Sequence, residues 1–170
     1  MYYTSRHNHV ITNDEARFHT TANRHLNLTD FANSMNPKLD YLFFARDVIT
    51  DSVSQEVSAL RLFDTLYIYK GQTSLVYSPY IVGKLNLNGT GTVKSETKLR
   101  MLDPDGMEVK TISIKGDNLL ADKSITLRGI FWLAVFTKVG RYSVEASVSV
   151  NDGQFVRVGE PIYFWVEQQV

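Results

Sequence analysis

The sequence predicts an all-β fold, a two-sheet antiparallel sandwich of about eight strands that follows a polar N-terminal arm. Three observations support this prediction. Apolar and polar residues alternate from Arg141 to Val150. Runs rich in β-branched and aromatic residues, separated by Gly, Pro, Asp and Asn, recur from Leu39 onward. The segments between these runs are too short for helical crossovers, which favours antiparallel pairing.

The arm is predicted to comprise residues 1–38 and the sandwich residues 39–170. The arm is rich in Asn, Thr and His and has no sustained apolar period. Two short helices are predicted within it. One is expected in TNDEARF, where Thr12 or Asn13 is the cap, and the other in LTDFANSM, where Thr29 is the cap.

The strands of the sandwich follow from Leu39 in sequence order. The first runs are LDYLFFARDVI, QEVSALRLFDTLYI, YIVGKLNLNG, VKSETKLRML, GMEVKTISIKG and ITLRGIFWLAVF. In GMEVKTISIKG the apolar positions shift by one residue between Val109 and Ile112, which predicts a β-bulge or an edge strand. The run IFWLAVF at 130–136 is far shorter than the roughly 20 residues of a membrane helix and is interpreted as a buried strand.

Three strands are predicted at the C-terminal end. GRYSVEASVSV is the clearest, with one apolar face and one polar face. Asp152 and Gly153 provide a turn, after which QFVRVG is expected to return as a partner strand. EPIYFWVEQ follows, with Pro161 near its start, where a missing N–H costs least.

Composition restricts the classes of function. The 170 residues contain 18 basic and 18 acidic side chains and no cysteine. Zero net charge argues against a protein whose main partner is duplex nucleic acid. The absence of cysteine excludes disulfides, thiolate zinc sites and cysteine nucleophiles. The N-terminal residues lack the apolar core of a secretion signal, so a cytoplasmic location, with no membrane partner, is predicted.

The segment KVGRYSVEASV resembles the late strand of immunoglobulin-like domains, in which a Gly-x-Tyr pair opens the strand and the tyrosine hydroxyl fixes the preceding corner. The resemblance implies that Gly140 and Tyr142 form such a corner. The order of LDYLFFARDVI, LRLFDTLYI, YIVGKLNL, KLRMLDPDG and GRYSVEASVSV resembles a family of small bacterial proteins, described as a domain of unknown function with an immunoglobulin-like sandwich. The likeness covers about residues 39–168. The cysteine of antibody domains is replaced here by Val144, and the family supplies no catalytic residues to transfer.

A search for chemical motifs finds no nucleophile elbow, no phosphate-binding Gly-rich loop and no His-Glu-x-x-His helix. NGTG at 88–91 is interpreted as a loop between strands. Asp103 and Asp105 resemble the start of a calcium loop, but the later ligands are missing, so a plain turn is predicted. Trp132 and Trp165 are expected to be buried, because each has apolar neighbours; a sugar-binding platform is the alternative. No catalytic residue and no cofactor are predicted.

The four histidines, His7, His9, His19 and His25, all lie in the arm. His7 and His9 would lie on one side of an extended segment, a spacing that suits zinc or copper. A metal site requires the arm to fold back, and nothing in its sequence indicates a rigid scaffold. Exposed or hydrogen-bonded imidazoles are therefore the preferred interpretation, with a metal site as the alternative.

Three functions are compatible with these observations. The preferred one is a non-enzymatic protein-binding or scaffold module, with a protein partner or self-association into an oligomer. The second is a phage or mobile-element protein that inhibits a host enzyme by steric binding. The third is a metal-dependent hydrolase that uses the N-terminal histidines. The fold does not choose among them, since sandwiches carry unrelated functions.

Overall fold

A computed structural model describes residues 35–54 and 57–170. In these ranges the chain forms strands joined by turns and loops, without helices. The strands are β1 Lys38–Thr50, β2 Val57–Leu62, β3 Thr65–Ile68, β4 Leu75–Tyr77, β5 Tyr80–Asn86, β6 Thr92–Leu102, β7 Glu108–Leu120, β8 Ser124–Ile130, β9 Ala134–Phe136, β10 Gly140–Val150 and β11 Val156–Gln168.

The strands build two main sheets and one small sheet. The first main sheet has the order β2-β1-β5-β8, the second has the order β3-β11-β10-β6-β7, and β4 pairs with β9. Neighbours are antiparallel except β3 and β11, which are parallel. The parallel pair arises because the chain passes from β2 in the first sheet to β3 at the edge of the second within two residues, Phe63 and Asp64.

The strand order is that of an immunoglobulin-like sandwich. In that fold the strands A, B and E lie side by side in one sheet, and C, F and G lie in the other. Here β1, β5 and β8 correspond to strands A, B and E, and β6, β10 and β11 correspond to strands C, F and G. The prediction of an all-β, immunoglobulin-like sandwich is therefore confirmed. Nine strands form the two main sheets of the described chain; the pair β4 and β9, three residues each, is additional.

The core lies between the two main sheets and is closed by aromatic rings. Phe164 of β11 contacts Phe44 of the opposite sheet edge-to-face, with ring centroids 4.8 Å apart. The same ring lies 5.4 Å from Tyr142 and 5.7 Å from Phe136. All four rings are buried. Such contacts add to the free energy of burial, so this cluster fixes how the sheets face each other.

Two predicted strands have a different form. The run IFWLAVF is not one buried strand, because β8 ends at Ile130, a turn follows, and β9 begins at Ala134. QFVRVG and EPIYFWVEQ are not two strands but one, β11. The residues Gly159, Glu160 and Pro161 form a bulge in β11 opposite Glu145, and a bulge tolerates proline within a strand.

The strand β7 lies at the edge of its sheet and carries the β-bulge that its sequence predicts. Its register against β6 shifts between Met101 and Leu102, which leaves Val109 as an extra residue, and again between Val93 and Ser95. On the other sheet, Gly83 of β5 allows close approach of β1. A Cβ there would lie 2.8 Å from the Tyr41 carbonyl oxygen, so a larger residue does not fit.

Candidate functional site

An exposed cluster of apolar side chains lies on the small sheet and on the turn that leads into it. Val76 of β4 and Val135 of β9 are directly paired, and 55% and 48% of their surfaces are exposed. Trp132 and Leu133, in the turn before β9, are 61% and 55% exposed. We call these four residues the apolar patch. Large contiguous patches of exposed apolar surface are common at interaction sites.

The backbone of the turn holds Trp132 and Leu133 outward. Phe131 and Ala134, which flank them, are both buried. The N–H of Phe131 donates a hydrogen bond to the Pro79 carbonyl oxygen at 3.0 Å, and the N–H of Leu133 donates one to the Ser78 hydroxyl at 2.8 Å. These hydrogen bonds hold the main chain of the turn.

Leu133 also has a strained backbone. Its φ angle is 51°, in the left-handed region that costs an ordinary L-residue about 1–2 kcal/mol. Such strain persists where the surroundings impose it, and it concentrates at functional sites. In this conformation the Leu133 N–H donates its hydrogen bond to the Ser78 hydroxyl. The flanking segments 74–79 and 130–136 contain no charged residue, while Arg46 and Asp47 of β1 lie close enough to influence the pKa of Tyr77 in β4.

A second candidate is a groove of about 580 Å³ on the outer face of the five-stranded sheet. The side chains of Lys98, Arg100, Arg157, Glu145 and Glu108 give it three positive and two negative charges. Its remaining lining is Thr111, Ala146, Ser147 and Phe155. A volume in this range is typical of sites for small ligands or short peptide segments.

Glu145 bridges two arginines in this groove. Its Oε2 accepts a hydrogen bond from Arg100 at 2.8 Å, and its Oε1 lies 3.4 Å from the guanidinium of Arg157. The hydrogen bond to Glu145 and the charge of that carboxylate raise the pKa of Arg100. At the edge of the groove, the ammonium of Lys98 lies 3.8 Å from the ring centroid of Phe155, a cation–π contact.

The expectation that both tryptophans are buried is wrong. Trp132 belongs to the apolar patch, and Trp165 is 48% exposed on the outer face of the five-stranded sheet. Trp165 alternates with the buried residues Phe164 and Val166, so its apolar neighbours face the core while its own ring faces outward. Beside it, the Arg141 guanidinium lies 4.5 Å from the ring centroid of Tyr163.

The predicted corner residues lie at the start of β10. Tyr142 is buried, and its hydroxyl donates a hydrogen bond to the Lys138 carbonyl oxygen at 3.1 Å. Burial raises the pKa of the Tyr142 hydroxyl. Gly140 has a φ of 138°, and a Cβ there would lie 2.9 Å from the Pro104 side chain. Both observations suit glycine at this position.

The aspartates of the predicted turn bind a lysine. The Lys138 ammonium pairs with Asp103 and lies 2.6 Å from Asp105. The other Asp103 oxygen accepts hydrogen bonds from the N–H groups of Asp105 and Met107 at 2.9 and 2.8 Å. The prediction of a plain turn is therefore confirmed. NGTG likewise lies in the loop between β5 and β6, where the Gly89 N–H donates to the Ala121 carbonyl oxygen.

His7, His9, His19 and His25 lie outside the described residues, so their metal binding stays a hypothesis. Within residues 35–54 and 57–170, His, Asp and Glu side chains form no group of three that could hold a metal ion. Nor does that part of the chain contain a helix with the length and apolar character to cross a membrane.

No family model and no curated protein matches the chain. Solved structures that are similar to it include the following two. A Northeast Structural Genomics Consortium target, SoR45, has 12% identity and a TM-score of 0.37, over 79% of this chain and 88% of its own. An immunoglobulin-like protein from Pseudomonas aeruginosa has 13% identity and a TM-score of 0.31, over 77% of this chain and 96% of its own. The fold assignment rests on the strand order of this chain itself, and membership of the domain-of-unknown-function family stays a prediction.

Proposed function

We propose that this protein is a non-enzymatic protein-binding module that contacts its partner through the apolar patch. The observation that carries this proposal is the turn at 131–134, which holds Trp132 and Leu133 outward between two buried residues. When a partner covers such an exposed tryptophan, its apolar surface leaves the water, which contributes favourable free energy to binding. Tryptophan is also the residue type most enriched among side chains that dominate binding energy at protein interfaces.

Energetic considerations support this choice of surface. Removing a large apolar side chain from water contributes about 1.5–3 kcal/mol. The patch has four such side chains, each already about half covered, so the total is several kcal/mol before the costs of association. The anchored turn lowers those costs, because little conformational freedom is left to lose. The four side chains of the patch are apolar, which favours an apolar protein surface over nucleic acid, since binding of nucleic acid requires cations.

Steric inhibition of a host enzyme would be a particular case of the same activity. The physical event is again coverage of the apolar patch by a protein, and only the identity of that protein differs. An enzyme recovered as the partner would therefore be assayed with and without this chain. Self-association is distinguished by sedimentation of the purified protein over a range of concentrations.

The test is affinity capture from an extract of the native host with three versions of the full chain. The wild type is compared with the double variant Trp132→Ser and Leu133→Ser. The matched control is Met107→Ser, which changes a side chain that is also well exposed, 66%, in the turn between β6 and β7. We expect the wild type and the control to retain the same proteins and the double variant to lose them. Equal capture by all three versions would overturn the proposal.

A further inference from the structure

The groove shares no residue with the apolar patch, and we propose that it binds an acidic peptide segment. It therefore constitutes a second binding surface, independent of the proposed function. Its side chains come from four neighbouring strands and the loop before β11, so the sheet holds them at fixed spacings.

The charges favour an anionic ligand. Lys98, Arg100 and Arg157 outnumber Glu145 and Glu108 in a chain whose net charge is zero. Glu145 contacts one terminal nitrogen of each arginine, whereas a guanidinium has five N–H donors. The side chains of Arg100 and Arg157 are 52% and 54% exposed. Both arginines are thus held in place by Glu145 and still offer donors to a carboxylate, with which a guanidinium pairs in a bidentate manner.

Two bulges lie beside the groove. On one side, Gly159, Glu160 and Pro161 of β11 lie opposite Glu145 alone. On the other, the extra residue Val109 of β7 interrupts the register beside Glu108. Bulges bend a strand and increase its twist, and they are frequent where a sheet forms a binding site. The groove lies between these two irregularities.

Two further features suit a peptide. The hydroxyls of Thr111 and Ser147 line the groove and make no side-chain hydrogen bond to another residue of the described chain, so they are available to main-chain amides. The ring of Phe155 is 40% exposed and provides an apolar wall for a neighbouring side chain. In a peptide with an acidic residue next to an apolar one, the acidic side chain would contact the arginines and the apolar side chain would contact the Phe155 ring.

Nucleic acid fits the groove less well. Affinity for a phosphate backbone grows with the number of cations that contact it. Glu145 and Glu108 lie among the cations here and would repel successive phosphates, whereas an isolated carboxylate can avoid them. A peptide with separated acidic groups is therefore the favoured occupant, and an oligonucleotide serves as a competing probe.

The test measures fluorescence anisotropy with the full chain at low ionic strength. The probes are a fluorescein-labelled peptide with several aspartates and one phenylalanine, the same peptide with asparagines, and an oligothymidylate of equal length. We expect only the aspartate peptide to bind appreciably. The double variant Arg100→Gln and Arg157→Gln should raise its Kd about tenfold or more, the scale of a lost hydrogen bond to a charged group. Added salt should weaken binding.

The matched control removes two positive charges elsewhere on the same sheet, by Lys94→Gln and Lys115→Gln, and should change Kd less than about twofold. Circular dichroism verifies that each variant is folded. The proposal would be overturned if the aspartate peptide did not bind or if the asparagine peptide bound equally well. It would also be overturned by an unchanged Kd in the arginine variant or by tighter binding of the oligothymidylate. The variant Trp132→Ser and Leu133→Ser should bind the peptide as the wild type does, which separates this site from the apolar patch.

Discussion

The Tyr142 hydroxyl donates a hydrogen bond to the Lys138 carbonyl oxygen at 3.1 Å, and the Lys138 N–H donates one back to the same hydroxyl at 3.3 Å. The Lys138 ammonium in turn contacts Asp103 and Asp105 in the turn between β6 and β7. Lys138 therefore joins two turns of the sandwich, one through its main chain and the other through its side chain.

Tyr142→Phe should destabilise the protein by about 0.5–1.5 kcal/mol or more without changing its fold, because it removes both hydrogen bonds of the hydroxyl and keeps the buried ring. Urea unfolding, followed by circular dichroism, measures the difference. An unchanged midpoint would mean that the corner contributes nothing to stability and would remove the role assigned to Tyr142.

Asp103→Asn should remove a contribution to stability that depends on pH. The hydrogen bond from Lys138, aided by main-chain N–H groups, lowers the pKa of Asp103 below its ordinary value of 3.8. A carboxyl whose pKa is lower in the folded state stabilises it above the unfolded pKa, and this effect is lost as pH falls through the folded pKa. The urea midpoints of wild type and variant should therefore differ at neutral pH and approach each other below pH 3.8.

Asp105→Asn is the control for this experiment. Asp105 also contacts Lys138, but its side chain is 69% exposed and that of Asp103 is 10% exposed. We expect the control to have the smaller effect at neutral pH. A gap between wild type and Asp103→Asn that stays constant into strong acid would contradict the pKa assignment.

Protein purified without an affinity tag should contain less than about one tenth of an equivalent of zinc, as expected if the histidine arm has no closed four-ligand site. Elemental analysis provides the measurement. Stoichiometric zinc that disappears in a variant carrying His7→Ala and His9→Ala would instead support the metal-dependent hydrolase.

Deletion of residues 1–33 should leave a folded, β-rich domain. The cut retains Met35, which packs against the core, and Asn36, whose carbonyl oxygen accepts a hydrogen bond from Asn88 at 2.8 Å. Circular dichroism tests the fold, while size exclusion and partner capture test whether the arm takes part in association. An unfolded product would place the arm in the core; a folded product with assembly and capture intact would remove its interaction role.

The sequence predicts best the features that depend on local alternation. The period of two from Tyr142 to Val150 appears as β10, and the phase shift in GMEVKTISIKG appears as the bulge at Val109 in an edge strand. The all-β sandwich class follows from such runs and from the short connections between them. These signals are contained within a few neighbouring residues.

The candidate sites depend on contacts between residues distant in sequence, which is why the sequence did not predict them. The turn at Leu133 is fixed by Ser78, so the apolar run around it resembled a buried strand. Trp165 lies between two buried residues in an apolar run, and only the direction of its side chain makes it exposed. The groove likewise depends on contacts among Arg100, Glu145 and Arg157, which belong to three different strands.

The central claim, that the apolar patch is the surface that contacts a protein partner, is tested most directly by photo-crosslinking in the native host. A photoreactive phenylalanine derivative is placed at position 132 in one version of the chain and at the equally exposed position 107 in another. We predict a discrete crosslinked product containing a second protein from position 132, and no such product from position 107. Crosslinking from position 107 alone, or from neither position, would contradict the claim.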